Sequence, residues 1–378
     1  MDLYSVIADS LHKIAEIDFF ETSQKEIRAA DIDELVEAIG VTRIASTTQL
    51  DRLCMPTFYC VRPSALHPCA MYSSGKAFDS ERALLSSLFE SYERWAAEYP
   101  AFCFDASPRA LFEHSESGNL IAFVPQIAES MRPIKWALGR CLDSAQFAAV
   151  PAWYVEFPPT APPPDQRFTT TGLAAHTSYA EATKNALLEC IERHHTAALT
   201  HSDIFRVDVA DFSQRSRRMA LTFEKEDIEL HTFVISSGSH VKTVYCYAYD
   251  HWLGLPQVHC SGFGASTRLQ AAVEKAMLEV VQSRAAMFSG LRADIAGLVT
   301  QGRDDYRENS KHLAWLEKLR LVEQTFDANC LGSEPTDTLR DVLASIASTD
   351  VTPLIFPLRT AGGFPAVRAF IPELNDCS

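Results

Sequence analysis

Apolar and polar residues alternate with the period of an α-helix in three stretches of the chain, and these stretches share one order of residue types. They cover residues 83–94, 182–193 and 272–283. In register, each reads Ala, a polar residue at the fourth position, a small residue, two large apolar residues, Glu, and Glu or Gln three positions later. This spacing predicts three helices built on one internal repeat.

The repeat brings acidic residues together in pairs. Residues three apart on a helix lie on one face, so Glu90 and Glu93 present two carboxylates side by side. Glu189 and Glu192 do the same in the second copy. A single pair of this kind is common on a solvated helix surface, but here the acids recur among large apolar residues. Because buried carboxylates are unfavourable without a cation, the pattern favours a metal site.

Small residues precede each of the three helices. Gly75 and Gly264 stand at the same distance before their helices, and Gly172 does so with a two-residue insertion. Each copy is therefore predicted to be a strand or loop, a Gly turn and a helix. Turns of small residues let backbone amides approach an anion, so we expect a phosphate near the turns and a cation near the helices.

The rest of the chain alternates predicted strands with predicted helices. Residues 1–38 are predicted to form an acidic, helical N-terminal extension. Strands are expected at 205–209, 228–235, 241–247 and 353–358, and helices at 311–325 and 336–348. Residues 105–130 have little periodicity and suggest a mobile insertion, while the prolines within 157–166 predict an extended loop. Together these elements indicate an α+β fold.

Composition and charge exclude several classes of protein. The 378 residues are 47% hydrophobic and 22% charged, as in an ordinary soluble globular protein. A net charge of −15 argues against a nucleic-acid surface. No signal-like start and no apolar run of ~20 residues is present, so we expect a cytoplasmic protein without a membrane partner. Ten cysteines without a C-x-x-C pair disfavour the commonest zinc sites.

Motifs spread over most of the chain resemble those of the YcaO proteins. The resemblance runs from about Gly40 to the C-terminus. Besides the three Glu helices, it is carried by GVTRIA (40–45), LDRLCMP (50–56), VRP (61–63), SGK (74–76), GFGA (262–265), EVVQSR (279–284) and GFPAVR (363–368). It implies a YcaO-like domain over residues 39–378, in which three strand–turn–helix repeats surround one nucleotide cleft.

The activity implied by the resemblance is ATP- and Mg²⁺-dependent modification of a backbone amide in a ribosomally made precursor peptide. Members of this family phosphorylate the amide oxygen, after which a nucleophile attacks the carbon. A neighbouring Cys, Ser or Thr gives an azoline, sulfide gives a thioamide, and an amine gives an amidine. The two ends of this chain look more like members that form thioamides with a TfuA-type protein. We therefore rank thioamide formation first and an azoline-forming cyclodehydratase second.

The resemblance also implies roles for individual residues. The Mg²⁺-binding carboxylates are Glu90, Glu93, Glu189 and Glu192. Nucleotide contacts are expected at Lys76, which matches a phosphate-contacting lysine, and at Glu181, Arg193, Gln282 and Arg284. Ser86 and Asn185 lie one helical turn before the acids and could reach the same cleft. No catalytic side chain is singled out. The implied partners are the precursor peptide, a TfuA-like or other peptide- or sulfur-delivery protein, and a second copy in a homodimer.

Some positions depart from the family pattern and keep a rival interpretation open. Ala77 follows Lys76 where relatives usually have Gly, and His176-Thr177 stands where Gly-Asn is common. These differences favour a non-catalytic peptide-binding scaffold subunit that has kept the fold. Against it stand the four carboxylates, since a protein that only bound peptide would have no evident need for them.

Two other motifs are set aside. Gly75-Lys76 is not a P-loop, because Ala70 and Ala77 stand where that motif needs Gly and Ser or Thr. His194 and His195 are adjacent in sequence, and neighbours on a helix point about a hundred degrees apart, so they are not expected to share one metal ion.

Overall fold

The computed structural model describes most of the chain and shows helices and strands in alternation. The described residues are 3–115, 119–123, 132–144, 146–160, 169–197, 204–209, 212–235, 240–251, 259–289, 314–326, 336–347 and 349–375. Helices α1 to α9 span Leu3–Ala15, Ala29–Ile39, Ser80–Glu98, Pro108–Ser115, Tyr179–Ala197, Gln214–Lys225, Leu269–Ser289, Leu339–Ile346 and Pro372–Asn375. A short unnumbered helix covers 314–320.

The strands form three sheets. Strands β1 to β14 span Arg43–Ser46, Thr57–Val61, Tyr72–Lys76, Cys103–Ala106, Leu120–Ala122, Ile134–Cys141, Phe147–Pro151, Leu173–Ala175, Ile204–Arg206, Ile228–Ile235, Lys242–Asp250, His259–Ser266, Leu354–Pro357 and Ala366–Phe370. The strand orders are β1-β2-β3, β12-β11-β10-β9, and β5-β7-β6-β13-β14-β8 with β4 beside β6. Pairing is antiparallel except between β5 and β7. The predicted α+β class is confirmed.

The strand that begins each repeat lies at an edge of its sheet. β3, β8 and β12 each end the strand order of a different sheet, and they lead into α3, α5 and α7. The core beneath these helices is apolar: Leu88, Leu187 and Met277 stand at the same position of the repeat and are fully buried. Burial of such side chains stabilises each helix by about 1.5–3 kcal/mol per residue.

Glycines in two of the repeats have a role that differs from the predicted one. Gly75 and Gly264 lie inside strands β3 and β12 rather than in turns. A Cβ at Gly75 would lie 2.1 Å from the Ser87 amide nitrogen, and one at Gly264 would lie 2.3 Å from the Ala272 carbonyl oxygen. The predicted Gly turn is therefore wrong in these copies, because close packing of helix on strand demands the glycine. Gly172, with φ +78°, does lie in a turn.

The N-terminal helix is part of the core. Ile7 and Ile14 of α1 are fully buried and cluster with Leu111 and Trp136. The second helix, α2, ends at Gly40 with φ 73°, and Leu35 and Ile39 occupy a different core cluster. The boundary at residue 39 stays a prediction, but the residues before it pack against the domain that follows.

The described part of 105–130, where the sequence predicted a mobile insertion, contains secondary structure, and the mobility of the segment stays a prediction. Strand β4 ends there, α4 follows it, and β5 pairs in parallel with β7. Leu111 and Leu120 are buried, which ties these short elements to the core. They are too short for their apolar spacing to stand out in the sequence. Residues 116–118 and 124–130 lie outside the described residues, as do 161–166 of the predicted proline-rich loop.

The second half of the chain follows the prediction with one addition. Strands β9, β10, β11 and β13 and helix α8 are confirmed, while the helix expected at 311–325 is present only over 314–320 within the described residues. Helix α6 was not anticipated. It begins at the N-cap Ser213, whose hydroxyl accepts a hydrogen bond from the Ser216 amide. Among the described residues, no helix has the length and apolar character required to cross a membrane.

Candidate functional site

The three repeats are arranged in a closed ring. Each repeat helix packs on the strand that precedes it and also on the strand of another repeat. Helix α3 contacts β3 and β8, α5 contacts β8 and β12, and α7 contacts β12 and β3. The three helix faces that carry the acids therefore meet where the edges of three sheets approach one another.

The first acid of each repeat makes the same hydrogen bond. Its carboxylate accepts from a backbone amide in the segment just before its own helix. These bonds are Ser74 N to Glu90 at 2.9 Å, Gly172 N to Glu189 at 3.1 Å, and Phe263 N to Glu279. Outward-facing amides at the strand edges are thus satisfied by the repeat glutamates, which holds these carboxylates in the ring.

The last polar residue of two repeats contacts the strand of the neighbouring repeat. Glu93 accepts a hydrogen bond from the Ala175 amide at 2.8 Å. Gln282 donates to the Ser74 carbonyl at 2.8 Å and accepts from the Lys76 ammonium. The structure therefore brings Lys76 and Gln282 together at the junction of the first and third repeats.

Electrostatic crowding shows that the acids of different repeats lie near one another. Burial raises the pKa of Glu93 well above its usual range, and the charges of Glu90 and Glu189 raise it further. The pKa of Glu192 is raised to about 8, first by burial and then by Glu279 and Glu189. Burial also raises the pKa of Glu189, against the opposing effect of Arg193. The ionised forms of these three carboxylates are therefore unfavourable in the ligand-free protein.

This donor set fits Mg²⁺ with a phosphate substrate. Carboxylate oxygens are the ligands that Mg²⁺ prefers, and it typically takes one or two of them together with waters and substrate phosphates. Within the described ranges, no three His, Cys, Asp or Glu side chains are already gathered at a metal-binding distance. The raised pKa values of Glu93, Glu189 and Glu192 nevertheless indicate carboxylates that a cation would stabilise.

Two arginines follow the acid pairs at equivalent positions of the repeat. Arg94 donates to Glu90 and to the Tyr72 carbonyl. Arg193 lies 3.7 Å from Glu189, and half of its side-chain surface is exposed. The second of these is the predicted nucleotide contact, and its exposed guanidinium is accessible to a ligand.

Arg284 lies in a different environment from the one we expected. Its guanidinium is buried and forms ion pairs with Asp51 at 2.8 Å and Asp250 at 2.9 Å. Arg52 pairs with the other oxygen of Asp250 at 2.6 Å. The bidentate contact to Asp51 uses Nε and one terminal nitrogen of the guanidinium, and the role of Arg284 as a nucleotide contact stays a prediction.

The remaining predicted residues lie on the helices that bear the acids. Ser86 and Asn185 are half-buried, one turn before the glutamates of their own helices. Glu181 forms an ion pair with Lys184 at 2.7 Å. His176 is half-buried beside Thr177, and burial lowers the pKa of its imidazole.

Sequence reasoning missed three charged residues near the second and third repeats. Lys184 and Lys275 lie on α5 and α7, and Asp337 lies just before α8. Lys275 occupies the fourth position of the repeat, where the other copies have Ser86 and Asn185, so its register could have revealed it. Asp337 stands outside every repeat, and its sequence context gives no signal.

A comparison with models of protein families identifies the family of this chain. A family model described as the YcaO cyclodehydratase, ATP- and Mg²⁺-binding, matches residues 74–375. The chain belongs to the YcaO family. The predicted ATP and Mg²⁺ are therefore the cofactors of its family, which confirms that prediction.

Two relatives show how far the similarity of this YcaO protein extends. An uncharacterized protein of Methanothermobacter thermautotrophicus is 27% identical over 372 residues, covering 89% of this chain and 90% of the relative. A protein encoded in the tfuA 3′ region of Rhizobium leguminosarum bv. trifolii is 27% identical over 291 residues, covering 70% of this chain and 66% of the relative.

Solved structures share the YcaO fold. YcaO from Methanopyrus kandleri, bound with AMPPCP and Mg²⁺, has a TM-score of 0.67 at 21% identity and covers 89% of this chain and 86% of its own. A heterocyclase in complex with substrate and cofactor has a TM-score of 0.68 at 16% identity, covering 96% of this chain and 55% of its own. At these identities, the likeness concerns the fold.

Proposed function

We propose that this YcaO protein uses Mg-ATP to activate a backbone amide of a ribosomally made precursor peptide. The observation that carries the proposal is the group of acids on the three repeat helices, in which burial raises the pKa values of Glu93, Glu189 and Glu192 and like charges from other repeats raise them further. A protein that only bound peptide would have no use for this arrangement. Membership of a family described as ATP- and Mg²⁺-binding supports the same conclusion.

In the proposed reaction, the terminal phosphoryl group of ATP moves to the amide oxygen of the peptide. The bond between this oxygen and phosphorus forms while the bond to ADP breaks. A nucleophile then adds to the amide carbon, and the oxygen leaves as inorganic phosphate. Attack at an activated carbon replaces one difficult step with two easier ones.

The side chains of the ring supply binding and orientation for this reaction. Glu90, Glu93, Glu189 and Glu192 would hold Mg²⁺, which when bound neutralises charge on the triphosphate. Their hydrogen bonds to the amides of Ser74, Gly172 and Ala175 keep three of these carboxylates oriented before the ligand arrives.

Two cations are assigned to phosphate binding. Lys76 lies at the junction of the first and third repeats and donates to Gln282, a neutral partner that leaves its charge uncompensated at this contact. Arg193 offers an exposed guanidinium beside Glu189. Both are cations at the rim of an acidic site, where substrate phosphate is the ligand they fit.

Thioamide formation with a TfuA-like partner is our first choice of product. The support is genetic: one relative, from Rhizobium leguminosarum bv. trifolii, is encoded in the tfuA 3′ region. Azoline formation is the alternative, supported by the fold shared with a heterocyclase. A homodimer and a cytoplasmic location stay predictions.

Mass spectrometry of a candidate precursor peptide tests the proposal. The peptide, encoded near this protein, is incubated with Mg-ATP, a sulfide source and the protein, with and without a TfuA-like partner. A gain of about 16 mass units indicates oxygen replaced by sulfur, and a loss of about 18 indicates removal of water. An unchanged mass together with no ATP hydrolysis would contradict the proposal and favour the scaffold interpretation.

A further inference from the structure

Two lysines meet at the junction of the second and third repeats. Lys184 lies on α5 and Lys275 on α7. The electrostatic neighbours of Lys275 are Asp337, Lys184, Glu192 and Glu181, so it stands between the acids of the proposed metal site and the segment that precedes α8. In the other two repeats, the same position holds an uncharged polar residue.

Lys184 is fully paired. Its ammonium lies 2.7 Å from the carboxylate of Glu181 and donates to the Asp337 carbonyl oxygen at 3.1 Å. The Asp337 carboxylate is 3.8 Å away. Its side chain is only 9% exposed, as expected for a buried cation that has found its counter-ions. Glu181 and Asp337 are therefore the counter-ions of Lys184.

Lys275 lacks such a counter-ion. Its ammonium donates one hydrogen bond, to the Ala265 carbonyl oxygen at 3.1 Å. Among the described residues, no carboxylate lies within 4.0 Å of it. Burial lowers the pKa of this lysine and the neighbouring Lys184 lowers it too, against the opposing effects of the more distant Asp337, Glu192 and Glu181 carboxylates. An ammonium has three donors, and in this half-buried lysine one of them has a neutral protein partner, so an anion would stabilise its charged form.

Asp337 holds this arrangement in place. It has a positive φ of 59°, which is uncommon for a residue other than glycine. Its carboxylate accepts hydrogen bonds from the Ser266 hydroxyl at 2.7 Å and from the Thr267 hydroxyl at 2.9 Å. These bonds anchor the turn between β12 and α7. Asp337 is therefore a positioning residue that directs Lys184 and fixes the start of the helix that carries Lys275.

We propose that Lys275 binds the terminal phosphate of the nucleoside triphosphate and lets the site distinguish ATP from ADP. The inference rests on the proposed function, since it places the triphosphate beside the ring of acids. Glu192 would hold Mg²⁺ that neutralises charge on the phosphates of the nucleotide, so a cation next to Glu192 would meet the phosphate end of the nucleotide. The terminal phosphate supplies the anion that the half-buried lysine lacks.

Nucleotide binding to Lys275→Met tests the assignment. The side chain keeps its length but loses its charge. Isothermal titration of the full chain with Mg²⁺ and either AMPPCP or ADP gives the two dissociation constants. We expect the affinity for AMPPCP to fall about tenfold or more, which corresponds to loss of one charge-assisted hydrogen bond, while that for ADP changes by less than about twofold. Lys275→Arg should restore most of the difference.

The controls separate this assignment from a structural effect and from the proposed function. Lys13→Met removes an exposed lysine on α1 and should leave both affinities unchanged. Equal losses for AMPPCP and ADP, or no loss for either, would overturn the role of Lys275. If the Met variant does not fold, Lys275→Gln is measured in the same way. Failure of the unsubstituted protein to bind AMPPCP would overturn the proposed function and this assignment together.

Discussion

Two clusters of charge lie close together along α7: an ion cluster of Arg284, Asp51 and Asp250, and the ring of acids on the three repeat helices. They differ in whether each charge has a partner of opposite sign. In one, the buried Arg284 pairs with Asp51 and Asp250. In the other, Glu279 of the same helix faces Glu192 and Glu189. Burial acts to raise the pKa of Asp250, but hydrogen bonds from Arg52 and Arg284 outweigh it and the pKa is lowered. The pKa of Glu192 is instead raised to about 8.

The difference distinguishes charged residues that stabilise the fold from charged residues that we assign to ligand binding. Each acid of the ion cluster has a guanidinium partner, and breaking a buried pair leaves an uncompensated charge that destabilises the fold. The acids of the ring repel one another, which destabilises the ligand-free protein and favours a cation. Strongly perturbed carboxylates whose charge is only partly compensated are typical of functional sites.

Loss of one acid from the ion cluster should give the largest effect. We expect Asp51→Asn to lower the free energy of unfolding by about 3–5 kcal/mol, because Arg284 then keeps only part of its ion pairing in a buried place. Urea denaturation followed by circular dichroism measures the change. Asp9→Asn, at an exposed i,i+4 pair, is the matched control and should change it by less than about 0.5 kcal/mol. Equal effects of the two substitutions would show that the buried ion pairs of Asp51 do not stabilise the fold more than an exposed pair does.

Loss of one acid from the ring should act on turnover instead. We expect Glu189→Gln to reduce Mg²⁺-dependent ATP hydrolysis by roughly 10²–10³-fold, the usual effect of removing one group that stabilises charge in a reaction. The melting temperature without Mg²⁺ should stay the same or rise, because one source of repulsion is gone. Glu16→Gln, an exposed acid at the end of α1, is the control. Unchanged hydrolysis would contradict the site assignment.

The pH dependence of stability should reveal the raised pKa of Glu192 in the unsubstituted protein. The unfolded pKa of a Glu is near 4.5 and that of folded Glu192 is about 8, so folding favours its protonated form. The stability that the folded state gains from this raised pKa is fully present below about pH 4.5 and is lost as the pH rises through 8. Without Mg²⁺, we expect the melting temperature to fall by roughly 2–5 °C between pH 5.5 and 8.5.

The same melting temperatures are measured in two further series, one with Mg²⁺ and one with the Glu192→Gln variant. Mg²⁺ should reduce the fall, because a cation compensates the ionised carboxylates. Glu192→Gln should reduce it as well, because the group that titrates has been removed. A fall of the same size in all three scans would show that the titration belongs to other residues.

The exposed arginine at the rim should have the smallest effect. Arg193 lies 3.7 Å from Glu189 with half of its side chain in solvent, so Arg193→Gln should change the free energy of unfolding by less than about 1 kcal/mol. The measurement is the same denaturation experiment used for Asp51→Asn. A larger loss would mean that this pair belongs with the buried ion cluster.

The sequence predicted the repeat, the acid pairs and the α+β class because all three depend on local spacing. Glu90 and Glu93 share a helix face whatever surrounds them. It could not predict which charges are paired across the fold. Arg284 follows Gln282 by two residues, yet one is buried with Asp51 and the other contacts Lys76.

Sequence reasoning also misread residues whose role depends on distant packing. Gly75 looked like a turn residue, but it is small because α3 presses against β3. Lys275 looked like one more polar residue of a helix. Its lack of a counter-ion follows from Lys184, which uses Asp337 and Glu181, and only the folded structure shows this.

The ring of repeats also constrains the order in which the protein can be completed during synthesis. Strand β8 is held in its sheet by β14, which is made long after the second repeat. Helix α3, from early in the chain, must wait for β8 before Glu93 finds the Ala175 amide. The carboxylates of different repeats therefore stay apart, and the repulsion between repeats is absent, until most of the chain has left the ribosome.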